Sequence, residues 1–362
     1  MTGPPAPVAR IRHALREFLT ARIAAGELAE GDLVLVACSG GPDSLALAAA
    51  AAFVAPRMNL RAGAAIVDHR LQPGSTEVAH TAQQTCRDLG LEPCRIETAE
   101  PDPATSSGLG PEAHARALRY RALERARHRE GARAILLAHT RDDQAETVLL
   151  ALARGSGTRS LGAMAPVRNE LWRPLLTISG CQTRQMCTAL ELPAWQDPTN
   201  APDGPWRRAD GGPLPRAAVR HEVLPALERA LGPGVPDALA RSASMAREDA
   251  QLLEELATDL ADRLIRSDGD RLSVGIEELT PAPAALRRRV LLLLARRAGC
   301  PTGALGAVHV HELERLVTHW HGQGPIHLPG ALEAHRECGR LEVRVAPSGR
   351  QAQDFTTKHQ EK

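Results

Sequence analysis

Lysine is almost missing from this chain: Lys358 and Lys362, in the last five residues, are the only two among 44 basic side chains. That scarcity excludes a phosphate loop of the Gly-Lys-Ser/Thr kind, whose lysine must reach the β and γ phosphates. Aromatic residues make up 2% of the sequence, too few for a surface built on rows of stacking rings. The seven cysteines, at 38, 86, 94, 181, 187, 300 and 338, are odd in number, scattered and without a Cys-x-x-Cys pair. Reduced thiols and a cytoplasmic location are expected from that usage. The longest apolar run, Leu45 to Ala55, has eleven residues, too short to span a bilayer, so no membrane partner is expected. Met1 to Val8 lacks a basic stretch followed by an apolar core, and is not expected to act as a signal peptide. The net charge of +1 leaves no argument from bulk basicity, and a nucleic-acid partner has to be argued from local patches.

What is present is organised around Leu33-Val-Leu-Val-Ala-Cys-Ser-Gly-Gly-Pro-Asp-Ser-Leu-Ala-Leu47. Strand-like residues run into Ser39, Gly40, Gly41, Pro42, Asp43 and Ser44, and an apolar helical pattern follows at once. Paired glycines let backbone N–H groups turn inward, and the helix N-terminus adds partial positive charge, so an anion is expected there. Pro42 and Asp43 suit a first helical turn. The plain alternative is an ordinary strand-to-helix turn.

At 362 residues the chain has room for two domains or more. Residues 8–25 read as an amphipathic helix carrying Val8, Ile11, Leu15, Leu19 and Ile23. Further strands are expected at Gly63–Asp68, Glu92–Glu97 and Arg133–Ala138, with helices through Leu89, from Pro111 to Arg129, and from Asp142 or Asp143. Alternating elements with continuous apolar strands predict a parallel sheet covered by helices on both faces, its ligands at the carboxyl ends of the strands. Ser39–Ser44, Asp68-His69 and His139–Asp143 all fall at such ends. Pro101 to Gly110 reads as a loop and Ala201 to Pro215 as a surface insertion. A long helical pattern fills Ala217 to Leu264. Helices at Leu286–Ala298 and Val308–Trp320 and a strand at Leu341–Val345 close the ordered part, and residues 347–362 are expected to be disordered.

Asp143 and Glu146 share a helix face by their i, i+3 spacing, beside His139. Such a cluster could hold Mg²⁺, bind an ammonium group, or take a proton from one; it could also simply favour the helix dipole. Arg116 and Arg119, three apart, suit phosphate through their forked donors, against a bland Glu112–Arg116 surface pair. Arg154, before Gly-Ser-Gly, is a further phosphate candidate. Arg207, Arg208, Arg216 and Arg220 form the best local basic patch, the alternative being a solvated loop. His309, His311, His319, His321 and His327 surround an apolar helical stripe and are read as core-flanking residues, not a zinc site.

Ser-Gly-Gly-x-Asp-Ser resembles the loop of the N-type ATP pyrophosphatases, which cut ATP between its α and β phosphates. Val67-Asp-His-Arg-Leu-Gln-Pro-Gly-Ser75, the His139–Gly157 stretch, Asp197-Pro-Thr-Asn200 and Val219-Arg-His-Glu-Val-Leu-Pro225 resemble, together and in this order, the tRNA(Ile)-lysidine synthetases. The likeness covers residues 30–230 well, and Trp320–Gly330 is similar to the shorter members. It implies an α/β fold: a parallel-sheet PP-loop domain (adenine nucleotide alpha hydrolase-like), then a mostly helical domain with a small α+β C-terminal portion. The implied boundaries are 1–26 for an N-terminal helix, 27–205 for the PP-loop domain, 206–270 for a helical tRNA-contacting linker, 271–346 for a substrate-binding domain and 347–362 for a tail. It also implies a ligase that adenylates C2 of the wobble cytidine of a CAU-anticodon tRNA(Ile) and replaces AMP by L-lysine, using ATP and Mg²⁺. Ser39, Gly40, Gly41, Pro42, Ser44, Asp68, His69 and Arg154 would then serve ATP, and Asp43 would serve ATP and Mg²⁺. Asp143 and Glu146 would take the lysine amine with His139 adjacent. Arg116 and Arg119 would assist catalysis, and Asn200 would join the four arginines of the patch on tRNA. Two departures stand out: Arg70-Leu71-Gln72 after Asp-His, and Arg216-Ala-Ala-Val-Arg-His221 where the family has Arg-Asn-Arg-x-Arg-His. The alternatives are a tRNA sulfurtransferase with the same loop and a non-catalytic tRNA-binding protein; the oligomeric state stays open, a homodimer included.

Overall fold

The computed structural model describes residues 3–70, 74–99, 111–155, 157–198, 201, 203, 204, 207, 208, 210–269, 271–301 and 304–346. The 101–110 loop, Leu71 to Pro73, Asn200, the 347–362 tail and the Glu112 side chain of the expected surface pair lie outside the described residues. The chain divides into two compact units, residues 1–247 and 248–362.

The first unit opens with α1 (Ala6–Ala24) and alternates β1 (Leu33–Ala37), α2 (Pro42–Val54), β2 (Arg61–Asp68), α3 (Ser75–Asp88), β3 (Cys94–Thr98), α4 (Pro111–Glu130), β4 (Ala134–Leu136) and α5 (Arg141–Ala153). After α6 (Thr158–Leu161) a two-residue hairpin, β5 (Val167–Arg168) and β6 (Leu171–Trp172), completes the sheet; α7 (Gly180–Ala189), α8 (Pro215–Ala218), a π-turn at Val219–Val223, α9 (Leu224–Leu231) and the start of α10 (Val235–Leu264) follow. The strand order is β3-β2-β1-β4-β6-β5. All neighbours are parallel except β5 and β6. The hairpin is not among the strands expected from sequence, because two-residue strands carry no periodicity.

β1 shows why the strands read as unbroken apolar runs. Val34 and Val36 face a core with α1, α2, α3 and α7, while Leu33 and Leu35 face a second core with Leu123 and Ala126 of α4. Both faces are covered, so Leu33 to Val36 are all buried. The α1 stripe of Val8, Ile11, Leu15 and Leu19 is fully inside the first core, each large side chain contributing roughly 1.5–3 kcal/mol. α2 packs with Ala46 and Ala48–Ala51 buried, which permits close approach. Gly63 in β2 is required, since a Cβ there would lie 2.5 Å from the Pro93 carbonyl oxygen.

The second unit contains the end of α10, then β7 (Ile265–Asp268), β8 (Arg271–Gly275), α11 (Ile276–Leu279), α12 (Ala284–Arg297), α13 (Ala307–Thr318), β9 (Ile326–Leu328), β10 (Leu332–Glu337) and β11 (Arg340–Val345). The antiparallel order is β7-β8-β11-β10-β9. The sequence reading anticipates only β11 here, and extends a helical linker over 265–268, where the structure has a strand. Their polar residues alternate on a half-covered sheet, and pairing supplies the signal that composition lacks. Leu291, Leu294, Leu313, Leu316, Leu341 and Val343 fill this unit's own core. Among the described residues no helix is long and apolar enough to cross a membrane.

Candidate active site

The loop after β1 is built as an anion nest. Gly40 has φ +81°, a left-handed conformation that costs a side-chain-bearing residue energy. Ser44 ties the turn: its Oγ accepts from the Ser39 N–H at 3.1 Å and donates to the Gly41 carbonyl at 2.9 Å. Gly41 is the N-cap of α2 and supplies no capping side chain, leaving the first-turn N–H groups and the dipole for a ligand. The Trp195 N–H donates to the Gly40 carbonyl at 2.9 Å, pinning the nest to the segment after α7.

The nest lies in a cleft of about 830 Å³ lined also by Asp43, His69, Arg119, His139, Asp143, Arg184, Trp195, Asp197, Arg220 and His221. Pro42, Asp43 and Ser44 at the start of α2, Asp143 in the first turn of α5, and Arg184, Cys187 and Thr188 of α7 supply part of this wall. The Thr183 hydroxyl, on α7, lies within hydrogen-bonding reach of Asp43 Oδ1 and the Gly180 carbonyl, and Asp142 Oδ2 accepts from the Gly180 N–H at 2.9 Å. Burial pushes the Asp43 carboxyl up to about 6 against the Thr183 hydrogen bond; the charge of Asp143 adds to the rise, and Arg220 and Arg184 oppose it.

α5 begins in a capping box. Thr140 Oγ1 faces the Asp143 N–H, and Asp143 Oδ2 accepts from the Thr140 N–H at 2.8 Å. The other oxygen, Oδ1, is 3.1 Å from Arg220 Nη2. One turn on, Glu146 is fully buried; Arg220 Nε donates to Oε1 at 2.5 Å and Nη2 to Oε2 at 3.1 Å. Arg216 Nε sits 3.1 Å from Oε2 as an ion pair, and its Nη2 donates to the Thr147 hydroxyl. Burial raises the Glu146 carboxyl above its ordinary range despite Arg220, with Asp143 adding to the rise.

Arg216 and Arg220 therefore do not stand with Arg207 and Arg208 as one surface patch. They are spent on the carboxylates of α5, while Arg208 pairs with Asp210 and Arg207 reaches the Gly211 carbonyl. His139 is held as a neutral imidazole: burial takes it down to about 3, Asp143 opposes, and Arg173, Arg119 and Arg116 add to the fall. His69 is lowered by burial and by Arg119. The Asp68 carboxylate is turned away to its own chain, accepting from Ser75, Thr76 and the Arg70 N–H. Burial alone would raise it, but those bonds hold it below its ordinary value. Arg116 is exposed and outside the lining. Arg154 caps the far end of α5, about 16 Å along the helix from Asp143 at 1.5 Å per residue.

Sequence reasoning misses Thr183, Arg184, Asp142 and Arg173. Ser179-x-x-Gln182 is a capping box in the structure, and that spacing marks a helix start in sequence, which would have placed Thr183 in a first turn. Thr140-x-x-Asp143 likewise marks Asp143 as a cap. Nothing local signals Arg173.

A PP-loop domain family matches residues 10–227, and a family described as the TilS substrate binding domain matches residues 275–342. The tRNA(Ile)-lysidine synthase of Thermobifida fusca is 47% identical over 95% of this chain and 99% of its own. The protein of that name from Salinispora arenicola is 50% identical over 93% of this chain and 96% of its own. Among solved structures, the U34-tRNA thiolase NcsA from Methanococcus maripaludis aligns with a TM-score of 0.54 and 18% identity over 67% of this chain and 80% of its own, a likeness of fold alone. With both domain families in order and near-complete alignment at this identity, the chain belongs to the tRNA(Ile)-lysidine synthase family.

Proposed function

We propose that this protein uses ATP to join lysine to C2 of the wobble cytidine in a CAU-anticodon tRNA(Ile), releasing pyrophosphate and then AMP. The observation that carries the reading is one cleft whose wall contains both the phosphate nest at Ser39–Ser44 and Asp143 of α5, with Glu146 buried one turn behind Asp143 and tied to it through Arg220. In the first step the nest N–H groups and Ser39 and Ser44 hold the departing pyrophosphate while the cytosine O2 attacks the α-phosphorus. Rate comes from positioning and charge neutralisation. Mg²⁺ suits Asp43, a buried carboxylate raised to about 6 beside a second carboxylate, which gains from a nearby cation; Mg²⁺ commonly takes one or two carboxylates plus substrate phosphates. Bound there, it would neutralise charge on the pyrophosphate.

In the second step a lysine ammonium, of ordinary pKa about 10.4, has to be bound and stripped of a proton before it attacks C2 and expels AMP. Asp143 and Glu146 offer the charge, and the ammonium competes with the Arg220 guanidinium for them. His139, uncharged, can accept a hydrogen bond without repelling the amine. The anticodon base reaches the cleft cheaply because loop bases are already unstacked in part. Arg207 and Arg208 are proposed to lie along the tRNA backbone. The test is to incubate the protein with ATP, lysine and a CAU-anticodon tRNA(Ile) transcript, then weigh the digested nucleosides. A lysine-sized gain on cytidine is expected; an unmodified cytidine overturns the reading.

A further inference from the structure

Tyr120 is the chain's single tyrosine, and three arginines gather at its hydroxyl. Arg116 Nη2 donates to it at 3.0 Å, with the guanidinium carbon 5.0 Å from the ring centre. Arg119 lies 5.6 Å from the same centre, and both Arg119 and Arg173 also turn to the hydroxyl. Arg173 is 5% exposed; its Nη1 donates to the Ala165 carbonyl at 2.9 Å, while Nε has no hydrogen-bond partner among the described residues.

Other arginines of this unit, such as Arg127, Arg141 and Arg220, each have a carboxylate. Among the described side chains no carboxylate pairs with Arg116, Arg119 or Arg173. Burying a guanidinium such as that of Arg173 without a carboxylate beside it is costly, and an arriving anion relieves the cost.

We propose that Tyr120 and the buried Arg173 are positioning residues that hold Arg116 and Arg119 as a fork for a backbone phosphate of the RNA strand entering the cleft. The phenol oxygen fixes the rotamers of both guanidinium groups, and Arg173 locks the phenol from behind. Burial lowers Arg119 and Arg173 from their ordinary values, as expected of cations awaiting an anion. The fork suits a polymer: Arg119 lines the cleft, whereas Arg116, one turn earlier on α4, is exposed and outside it. A ligand touching both must run from the cleft to its rim, whereas the phosphates of ATP already have the nest at Ser39–Ser44.

The inference rests on the tRNA reading above, and the two fail separately. Wild-type protein is first assayed for lysidine, which tests that reading. Arg173→Met and Tyr120→Phe are then compared with wild type for tRNA affinity over a range of salt, for the KM of ATP, and for thermal stability. For Arg173→Met the tRNA dissociation constant is expected to rise about five- to tenfold and the log–log salt slope to flatten by about 0.7, one single-strand phosphate, at unchanged ATP KM. Tyr120→Phe should move both quantities the same way by about threefold and about 0.3. It keeps the ring packing, and it alone decides if Arg173→Met does not fold. An unchanged slope in the folded variant overturns the proposal; so does a raised ATP KM at unchanged slope, which would make the fork part of the nucleotide site.

Discussion

Each unit contains a buried glutamate clasped by two arginines, and the two end in opposite states. In the second unit Glu314 accepts from Arg287 Nη2 at 2.8 Å and Arg288 Nε at 2.5 Å. Burial alone would raise its carboxyl, but the two arginines win and hold it below its ordinary value. In the first unit Glu146 has a comparable pair, Arg216 and Arg220, and is nevertheless raised, burial first. The difference is company. Glu314 has Arg287 and Arg288 to itself among the described ion pairs, whereas Arg220 is shared between Glu146 and Asp143, and Asp43 feels both Asp143 and Arg220. Glu314 is a settled structural pair; the α5 cluster holds more negative charge in one place than its arginines calm, a state expected at sites that handle ligands.

The strongest way to sharpen that contrast is Asp43→Asn, which keeps an acceptor for Thr183 and removes the charge. Pyrophosphate release should fall by about 10²–10³-fold, measured in single turnover, while the protein becomes more stable by about 1–2 kcal/mol at pH 7.5. The sign follows from the raised carboxyl: its contribution to folding is present below the unfolded value near 3.8 and lost as pH rises through about 6. The stability gain of the variant should therefore vanish in melts near pH 4.

Much of this was readable from residues alone. The β1–loop–α2 stretch carries its own period change, glycines and capping chemistry, and strands buried on both faces announce themselves as unbroken apolar runs. What stayed hidden depends on distant partners. Arg216 and Arg220 read as surface because the carboxylates they bind, Glu146 and Asp143, lie some 70 positions earlier. Asp68 reads as a ligand at a strand end, but Ser75 and Thr76 on the next helix claim it. β7–β10 are invisible for the same reason, since antiparallel pairing rather than local apolar content makes them strands.

Glu314→Gln should do the reverse of Asp43→Asn. Its loss leaves Arg287 and Arg288 facing each other, destabilising the protein by about 1–2 kcal/mol after screening at the half-exposed Arg288, with no change in the rate of pyrophosphate release per folded molecule. Because the Glu314 carboxyl is lowered, its contribution is full above the ordinary carboxylate value and lost as pH falls through the folded one. The gap between wild type and variant should close in acid. Equal destabilisation by Glu146→Gln would erase the comparison. That variant is instead expected to melt within about 1 kcal/mol of wild type while the KM for lysine rises about tenfold, the equivalent of 1.4 kcal/mol. The smallest effect belongs to Thr140→Val, which removes the α5 cap at a cost of about 1 kcal/mol. It should raise the lysine KM only slightly, since Arg220 still holds Asp143.

The bond from the Trp195 N–H to the Gly40 carbonyl also gives the protein an optical reporter. An indole is fastened through its own backbone to the turn that receives phosphate, on the wall of the same cleft. The nest cannot shift without shifting the solvent and field around that ring. Trp172, on β6, is 3% exposed in the core and should stay silent. Emission from Trp195 should thus follow the arrival and departure of pyrophosphate in real time, in unlabelled protein.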